Sequence, residues 1–221
     1  MKLELILVFL VGFFMLNMSD SPREFKKLDK RVQTFLDEHR DEWHDWNVPY
    51  QDGKILYDLI MEHEYKNALE IGTSTGHSAI WMAWALKKTG GTLITIEIDE
   101  RRYEIAQKNF RKAGVDDVID ARLADAHQLV KELEGPFDFV FSDADKVWYK
   151  RYLMELYPKL EQGGCFVAHN VRQAYSGIPE FMDFLNSLPD MKTRIDSTTS
   201  SGMSVSFKKT ASDKEKEEQS D

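Results

Sequence analysis

The stretch Asn67–Ser78, NALEIGTSTGHS, constrains this chain more than any other. Ala68–Ile71 has strand character and runs into a turn containing Gly72 and Gly76, and the apolar run Ala79–Leu86 that follows reads as a helix. Strand, glycine turn and helix in succession form the unit that holds nucleotide-like ligands at the carboxyl edge of a parallel sheet. A residue without Cβ reaches positive φ and lets a ligand approach the backbone, which suits glycine to that turn. Small residues in such a turn also serve plain helix–strand packing, so the unit needs partners elsewhere before it means a site.

The chain beyond it keeps alternating. Thr92–Ile98 is a strand, and Asp99–Ala113 a helix capped by Asp99 and ended by Gly114. Val118–Leu123 is a strand and Asp125–Leu133 a short helix. Phe137–Ser142 is a strand, and Lys146–Leu160 a helix stopped near Gly163-Gly164. Cys165–Ala168 is a strand, Ile178–Leu188 a helix, and Lys192–Asp196 and Ser204–Phe207 are the closing strands. This order implies an α/β fold with a mostly parallel, doubly wound sheet and helices on both faces. Upstream, Asn47–Gly53 reads as a loop and Lys54–His63 as a helix. Residues 21–46 form an N-terminal helical extension, with Phe25, Leu28, Val32, Phe35 and Leu36 at helical spacing. His39–Trp46 looks at first like a metal cluster. It lacks ligand spacing with any cysteine, and a solvated helix end anchored by Trp43 and Trp46 accounts for it better.

The termini carry the other expectations. Residues 5–16 are uniformly apolar, with the length of a signal-peptide core and short for a membrane span. Residues 1–20 are therefore a signal peptide or an uncleaved membrane anchor. In the anchored case Arg23, Lys26, Lys27, Lys30 and Arg31 after the run, against Lys2 before it, put the main domain on the cytoplasmic side. In the cleaved case the domain is exported. Residues 210–221 read as a disordered acidic tail, which leaves residues 47–209 as the main domain. The formal net charge of −9 argues against a broad nucleic-acid surface. The single cysteine, Cys165, excludes an intrachain disulfide and sits in an apolar run as a buried thiol.

Glu97 ends the second strand, placed to hydrogen-bond both hydroxyls of a ribose. The turn Gly72–Gly76 has neither the dinucleotide nor the P-loop pattern, so no phosphate cradle is indicated. Glu70 before it suits a cationic ligand such as a sulfonium, which points to S-adenosylmethionine. Asp125-Ala126 is placed to meet an adenine edge, and Asp125 also suits a helix N-cap. The fourth strand ends in Ser142-Asp143-Ala144-Asp145-Lys146 and the fifth in Ala168-His169-Asn170. Both ends lie on the ligand-binding edge, where Asp143, His169 and Asn170 would converge as an oxygen, nitrogen, oxygen metal site within reach of Lys146.

The segments ALEIGTSTGHSA, TIEID, FDFVFSDADK and GGCFVAHNV resemble the motifs of the cation-dependent O-methyltransferases, the class I group holding the caffeoyl-CoA and catechol enzymes. The resemblance covers roughly residues 47–208. It implies a Rossmann-like sheet of seven strands with the last antiparallel, and an S-adenosylmethionine cofactor. By position, Glu97 binds the ribose. Val48, Glu70, Gly72, Ser74, Gly76 and Ser78 lie around the methionine and ribose, and Asp125 and Ala126 flank the adenine. Asp143 and Asn170 hold a divalent cation, and Lys146 is the base. The acceptor is a small hydroxylated, phenolic molecule. A homodimer, and membrane contact through residues 5–16, stay open.

Two departures stand out. The family has Asp where this chain has His169, which changes the choice between Mg²⁺, Mn²⁺ and other transition metals, or removes the metal and leaves His169 as a base. The family's catechol-holding acid is also missing: the chain reads Arg194-Ile195-Asp196-Ser197, then Ser200-Ser201-Gly202. The rival readings are a metal-independent methyltransferase acting on nitrogen or carboxylate, and a non-catalytic membrane-anchored binding module of the same fold.

Overall fold

The computed structural model describes residues 22–218. The expected signal peptide or anchor lies outside the described residues. Among those described, no helix is long and apolar enough to cross a membrane.

Seven strands form one sheet: β1 Asn67–Ile71, β2 Thr92–Glu97, β3 Ile119–Leu123, β4 Phe137–Ser142, β5 Leu160–His169, β6 Met191–Asp196 and β7 Met203–Lys208. The order is β3-β2-β1-β4-β5-β7-β6, and only β7 runs against the others. The helices are α1 Pro22–Glu38, α2 Tyr50–His63, α3 His77–Thr89, α4 Glu100–Ala113, α5 Ala126–Glu132, α6 Tyr149–Leu156, α7 Ile178–Ser187 and α8 Ala211–Glu218. They leave two apolar layers, one on each face of the sheet. The central strands β1, β4 and β5 are buried along most of their length, as strands covered on both faces must be. The Rossmann-like fold expected from the sequence is the fold observed.

Register places the site. Ile71 pairs with Ile96 and with Ser142, and Ser142 pairs with Ala168. The next residue of each strand is therefore Gly72, Glu97, Asp143 and His169, side by side on the carboxyl edge. Gly72 has φ +97°, and a Cβ there would stand 2.7 Å from the Asp143 carbonyl oxygen, so this position needs glycine for space as well as conformation. Gly76, with φ +99°, sits against the Phe110 ring of α4, where a Cβ would approach to 2.5 Å.

Four local expectations change. The segment Asn47–Gly53 is only partly a loop. Pro49 is the N-cap of α2, and the amides of Asp52 and Gly53 already hydrogen-bond to its carbonyl. Gly53, which marks a loop in the sequence, lies inside the helix, and it is glycine for space: the Trp81 indole occupies the place of its Cβ, 2.2 Å from the ideal position. The helix expected over Lys146–Leu160 narrows to α6 between two 3₁₀ turns, the second containing Pro158. β5 starts at Leu160 and carries Gly163-Gly164 inside it, where a helix stop was expected. Residues 211–218 of the expected disordered tail form α8, beside a Lys214–Asp190 ion pair of 3.6 Å.

The expected N-terminal helix is α1, and it joins the core. Val32, Phe35 and Leu36 are buried, and Arg31 donates to the carbonyls of Arg111 and Lys112 at the C-terminal end of α4. Of the two tryptophans expected to anchor the following segment, only Trp43 does so, stacked on His77 at 4.6 Å; Trp46 is 80% exposed. Helix propensity alone makes Gly53→Ala stabilising by about 1 kcal/mol. The Trp81 contact reverses the sign. We expect a loss of about 1–3 kcal/mol, read as a lower thermal unfolding midpoint.

Candidate active site

A cavity of about 630 Å³ opens at the carboxyl edge. That volume is in the range of cofactor sites. Gly72, Ser74, Glu97, Asp125, Ala126, Asp143, Lys146, His169 and Asn170 line it, so most residues singled out in the sequence meet in one place.

The cofactor half is built around Glu97, 6% exposed. One carboxylate oxygen accepts from the Ser74 amide at 2.7 Å, and the other from the amides of Ile98 and Asp99 at 3.0 and 2.9 Å. The acid thus ties the glycine turn to the end of β2 and faces the cavity. Asp125 caps α5 as expected, accepting from the His127 amide at 2.9 Å, and also lines the cavity.

Four expected cofactor residues are not among the cavity's lining residues. Val48 is buried and its carbonyl accepts from His77 Nδ1 at 2.8 Å. Gly76 and Ser78 belong to the start of α3 behind the turn. Glu70 is wholly buried among the hydroxyls of Ser78 and Thr95. Burial pushes its carboxyl up to about 8, against the pull of those two hydrogen bonds. The raised pKa favours the neutral acid over the charge that the sequence argument gave it, and through Ser78 and Thr95 Glu70 holds the turn from beneath.

The reactive half joins four side chains. Lys146 Nζ donates to Asp143 Oδ1 at 2.7 Å and to the Ala144 carbonyl at 3.1 Å. Asp143 Oδ2 stands 3.1 Å from His169 Nδ1, and His169 Nε2 donates to Asp52 Oδ2 at 2.7 Å. Asp52, from the first turn of α2, is 1% exposed and accepts from the Thr199 hydroxyl at 2.8 and 3.0 Å. Burial would lower the His169 pKa. The charge of Asp143 and the contacts with both acids outweigh it and raise the pKa to about 9.

The contact between His169 and Asp143 is an ion contact and not a hydrogen bond. Nδ1 is misaligned toward Oδ2 and is a buried nitrogen without a hydrogen-bond partner. Two ligands at right angles on an ion with bonds of about 2.1 Å stand about 3 Å apart. The Asp143–His169 spacing fits that geometry, and Asn170, in left-handed conformation (φ 60°), lines the same cavity. Among the described residues no three His, Cys, Asp or Glu side chains are grouped for a metal, so an ion here would need the Asn170 amide as its third protein donor. One carboxylate, one imidazole and one amide fit a divalent ion of the transition series better than Mg²⁺.

Sequence reasoning missed Asp52 and Thr199, which reach His169 from 117 residues upstream and through Asp52, respectively. No spacing signals such pairs. It also missed the aromatic rim. Asp45 and Trp46 are both left-handed, held by the ion pairs of Asp45 with Arg101 and Arg102 at 2.5 and 2.8 Å and by the Ser74 hydroxyl donating to the Asp45 carbonyl. That loop presents Trp46 at the cavity mouth, with Tyr175 also lining it. The turn at the family's expected catechol-holding acid supplies Thr199 and, to the cavity, Ser201.

A pH dependence follows. His169 has its pKa raised from 6.5 to about 9, so its stabilising contribution is complete below pH 6.5 and is lost as pH rises through 9. Urea unfolding with chelator present should show this decline, and His169→Asn should flatten it.

Comparisons with known proteins give the family and the fold. The O-methyltransferase family matches residues 19–177. A catechol O-methyltransferase of Niastella koreensis is 42% identical over 129 residues, 57% of this chain and 58% of that protein, so the match spans little more than half the relative's length. A putative caffeoyl-CoA O-methyltransferase of Arabidopsis thaliana is 30% identical over 178 residues, covering 76% of both. Among solved structures, an O-methyltransferase from Bacillus cereus in complex with SAH superposes with a TM-score of 0.70 at 26% identity, over 88% of this chain and 94% of that one.

Proposed function

The chain belongs to the O-methyltransferase family, whose homologues and structural neighbours work with S-adenosylmethionine, and from that premise we propose that it moves the methyl group of S-adenosylmethionine to a hydroxyl of a small phenolic molecule, with a divalent cation at Asp143, His169 and Asn170. The observation that carries the reading is the register. It sets the cofactor-side acid Glu97 and the reactive pair Asp143–Lys146 around one cavity. The exposed Trp46 and Tyr175 at that cavity support a planar, aromatic acceptor.

The chemistry is a single displacement. The acceptor oxygen bonds to the methyl carbon, the carbon–sulfur bond breaks, and the sulfonium leaves as a neutral thioether. The hydroxyl proton passes to Lys146 Nζ, which accepts it as the neutral amine after giving its own ammonium proton to solvent. Asp143 holds Nζ at the cavity wall, 2.7 Å from its carboxylate. Glu97 fixes the cofactor ribose, and the glycine turn lets the methionine end approach the strand ends. Holding oxygen, carbon and sulfur in line accounts for much of the rate in such reactions. A bound divalent cation would act as Lewis acid and template for the acceptor hydroxyl.

Incubation with S-adenosylmethionine and a panel of catechols and other phenols should yield the O-methyl ether and the demethylated cofactor. Cofactor binding without transfer to any phenol would overturn the acceptor assignment. Lys146→Met should lower turnover by about 100-fold or more while cofactor affinity holds. Glu97→Gln should weaken cofactor binding by about tenfold or more in calorimetry, the loss expected for a charged hydrogen-bond acceptor.

A further inference from the structure

We propose that Asp52 is a positioning residue that makes His169 a metal ligand, and that it thereby gives the site a preference for Mn²⁺ and its transition-series neighbours over Mg²⁺. The proposal rests on the metal reading above and goes beyond it, since Asp52 lies in α2, away from the strand ends that carry the motif.

An ionised carboxylate only accepts hydrogen bonds. The 2.7 Å contact of Asp52 Oδ2 with Nε2 therefore fixes the proton of a neutral His169 ring on Nε2 and leaves the lone pair on Nδ1. Nδ1 is buried, lacks a hydrogen-bond partner and stands 3.1 Å from Asp143 Oδ2. Asp52 is held in turn. Its own amide bonds to the Pro49 carbonyl at 3.0 Å, and the Thr199 hydroxyl donates to both of its oxygens. With an ion held between Nδ1 and Asp143, the row Thr199, Asp52, His169 would become a carboxylate–histidine–metal site, in which the outer acid sets the tautomer, the ring orientation and the ligand's basicity. A nitrogen donor favours Mn²⁺, Fe²⁺, Co²⁺ or Zn²⁺, whereas Mg²⁺ prefers oxygen. If Asp52 did no more than neutralise a buried histidine, its removal would leave the choice of ion unchanged.

The test uses the full chain freed of metal by chelation. Mn²⁺ and Mg²⁺ binding is followed by calorimetry, and bound Mn²⁺ by electron spin-echo spectroscopy, which detects a directly bonded nitrogen. The wild type should bind Mn²⁺ more tightly than Mg²⁺ and show nitrogen coupling. Asp52→Ala should lower Mn²⁺ affinity by about 10–100-fold and weaken that coupling, with Mg²⁺ affinity unchanged. His169→Asp should abolish the coupling and turn the preference toward Mg²⁺. Should Asp52→Ala fail to fold, Asp52→Asn decides. Its amide oxygen still accepts from Nε2 but lacks the charge, so Mn²⁺ affinity must fall below the wild type's. Unchanged Mn²⁺ affinity in the Asp52 variant, or a retained Mn²⁺ preference in His169→Asp, overturns this role and leaves the metal reading standing. A wild type that binds neither ion overturns both.

Discussion

The site depends on one close approach, the backbone of Gly72 against the backbone of Asp143. A side chain at residue 72 would stand 2.7 Å from the Asp143 carbonyl oxygen and force β1 and β4 apart at their ends. Without it, the ladder continues past both strands: the Asp143 amide donates to the Ile71 carbonyl at 2.9 Å, and the Gly72 amide to that of Ile96 at 3.0 Å. Three strand ends are thereby locked together. The residue that follows each becomes a wall of the same cavity, and the cofactor half and the reactive half meet at a single glycine.

The second constraint is electrostatic. Asp52, His169, Asp143 and Lys146 are largely buried, and removing charges from water is costly unless each finds a partner. Here each does, in an unbroken line from α2 through β5 to the turn after β4. Such a line is weak evidence for stability, because packed apolar residues would serve as well or better. Its value is positional: it holds a base, an acid and an imidazole at fixed separations on the wall of one cavity. The misaligned Nδ1 is the one place where the line is not closed by a hydrogen bond, and it lies where a ligand would be held.

The backbone order and the strand-end residues were legible from the sequence because they rest on local signals. Alternating strands and helices, Asp99 and Asp125 as caps, Gly114 as a stop, and acids one step past a β-strand are patterns within a few residues. Where local signals conflict with packing they misled. Gly53 reads as a loop residue until the Trp81 indole is seen in its place, and Gly163-Gly164 reads as a helix stop although it lies within β5. Glu70 reads as a charge for a ligand until its burial among hydroxyls is seen.

By itself the sequence determined the doubly wound sheet, the glycine turn and the identity of the groups at the strand ends, because hydrophobic period and turn chemistry act over short spans. Only the tertiary structure decided which of those groups share a cavity, that Glu70 and Ser78 lie behind the turn, and that Asp52 and Thr199 reach His169. Those contacts join residues far apart in the chain, and they depend on strand register and helix docking. Burial raised the pKa of Glu70, and the acids Asp143 and Asp52 raised that of His169 against its burial, because a pKa answers to the surroundings in the folded protein and not to neighbours in the chain.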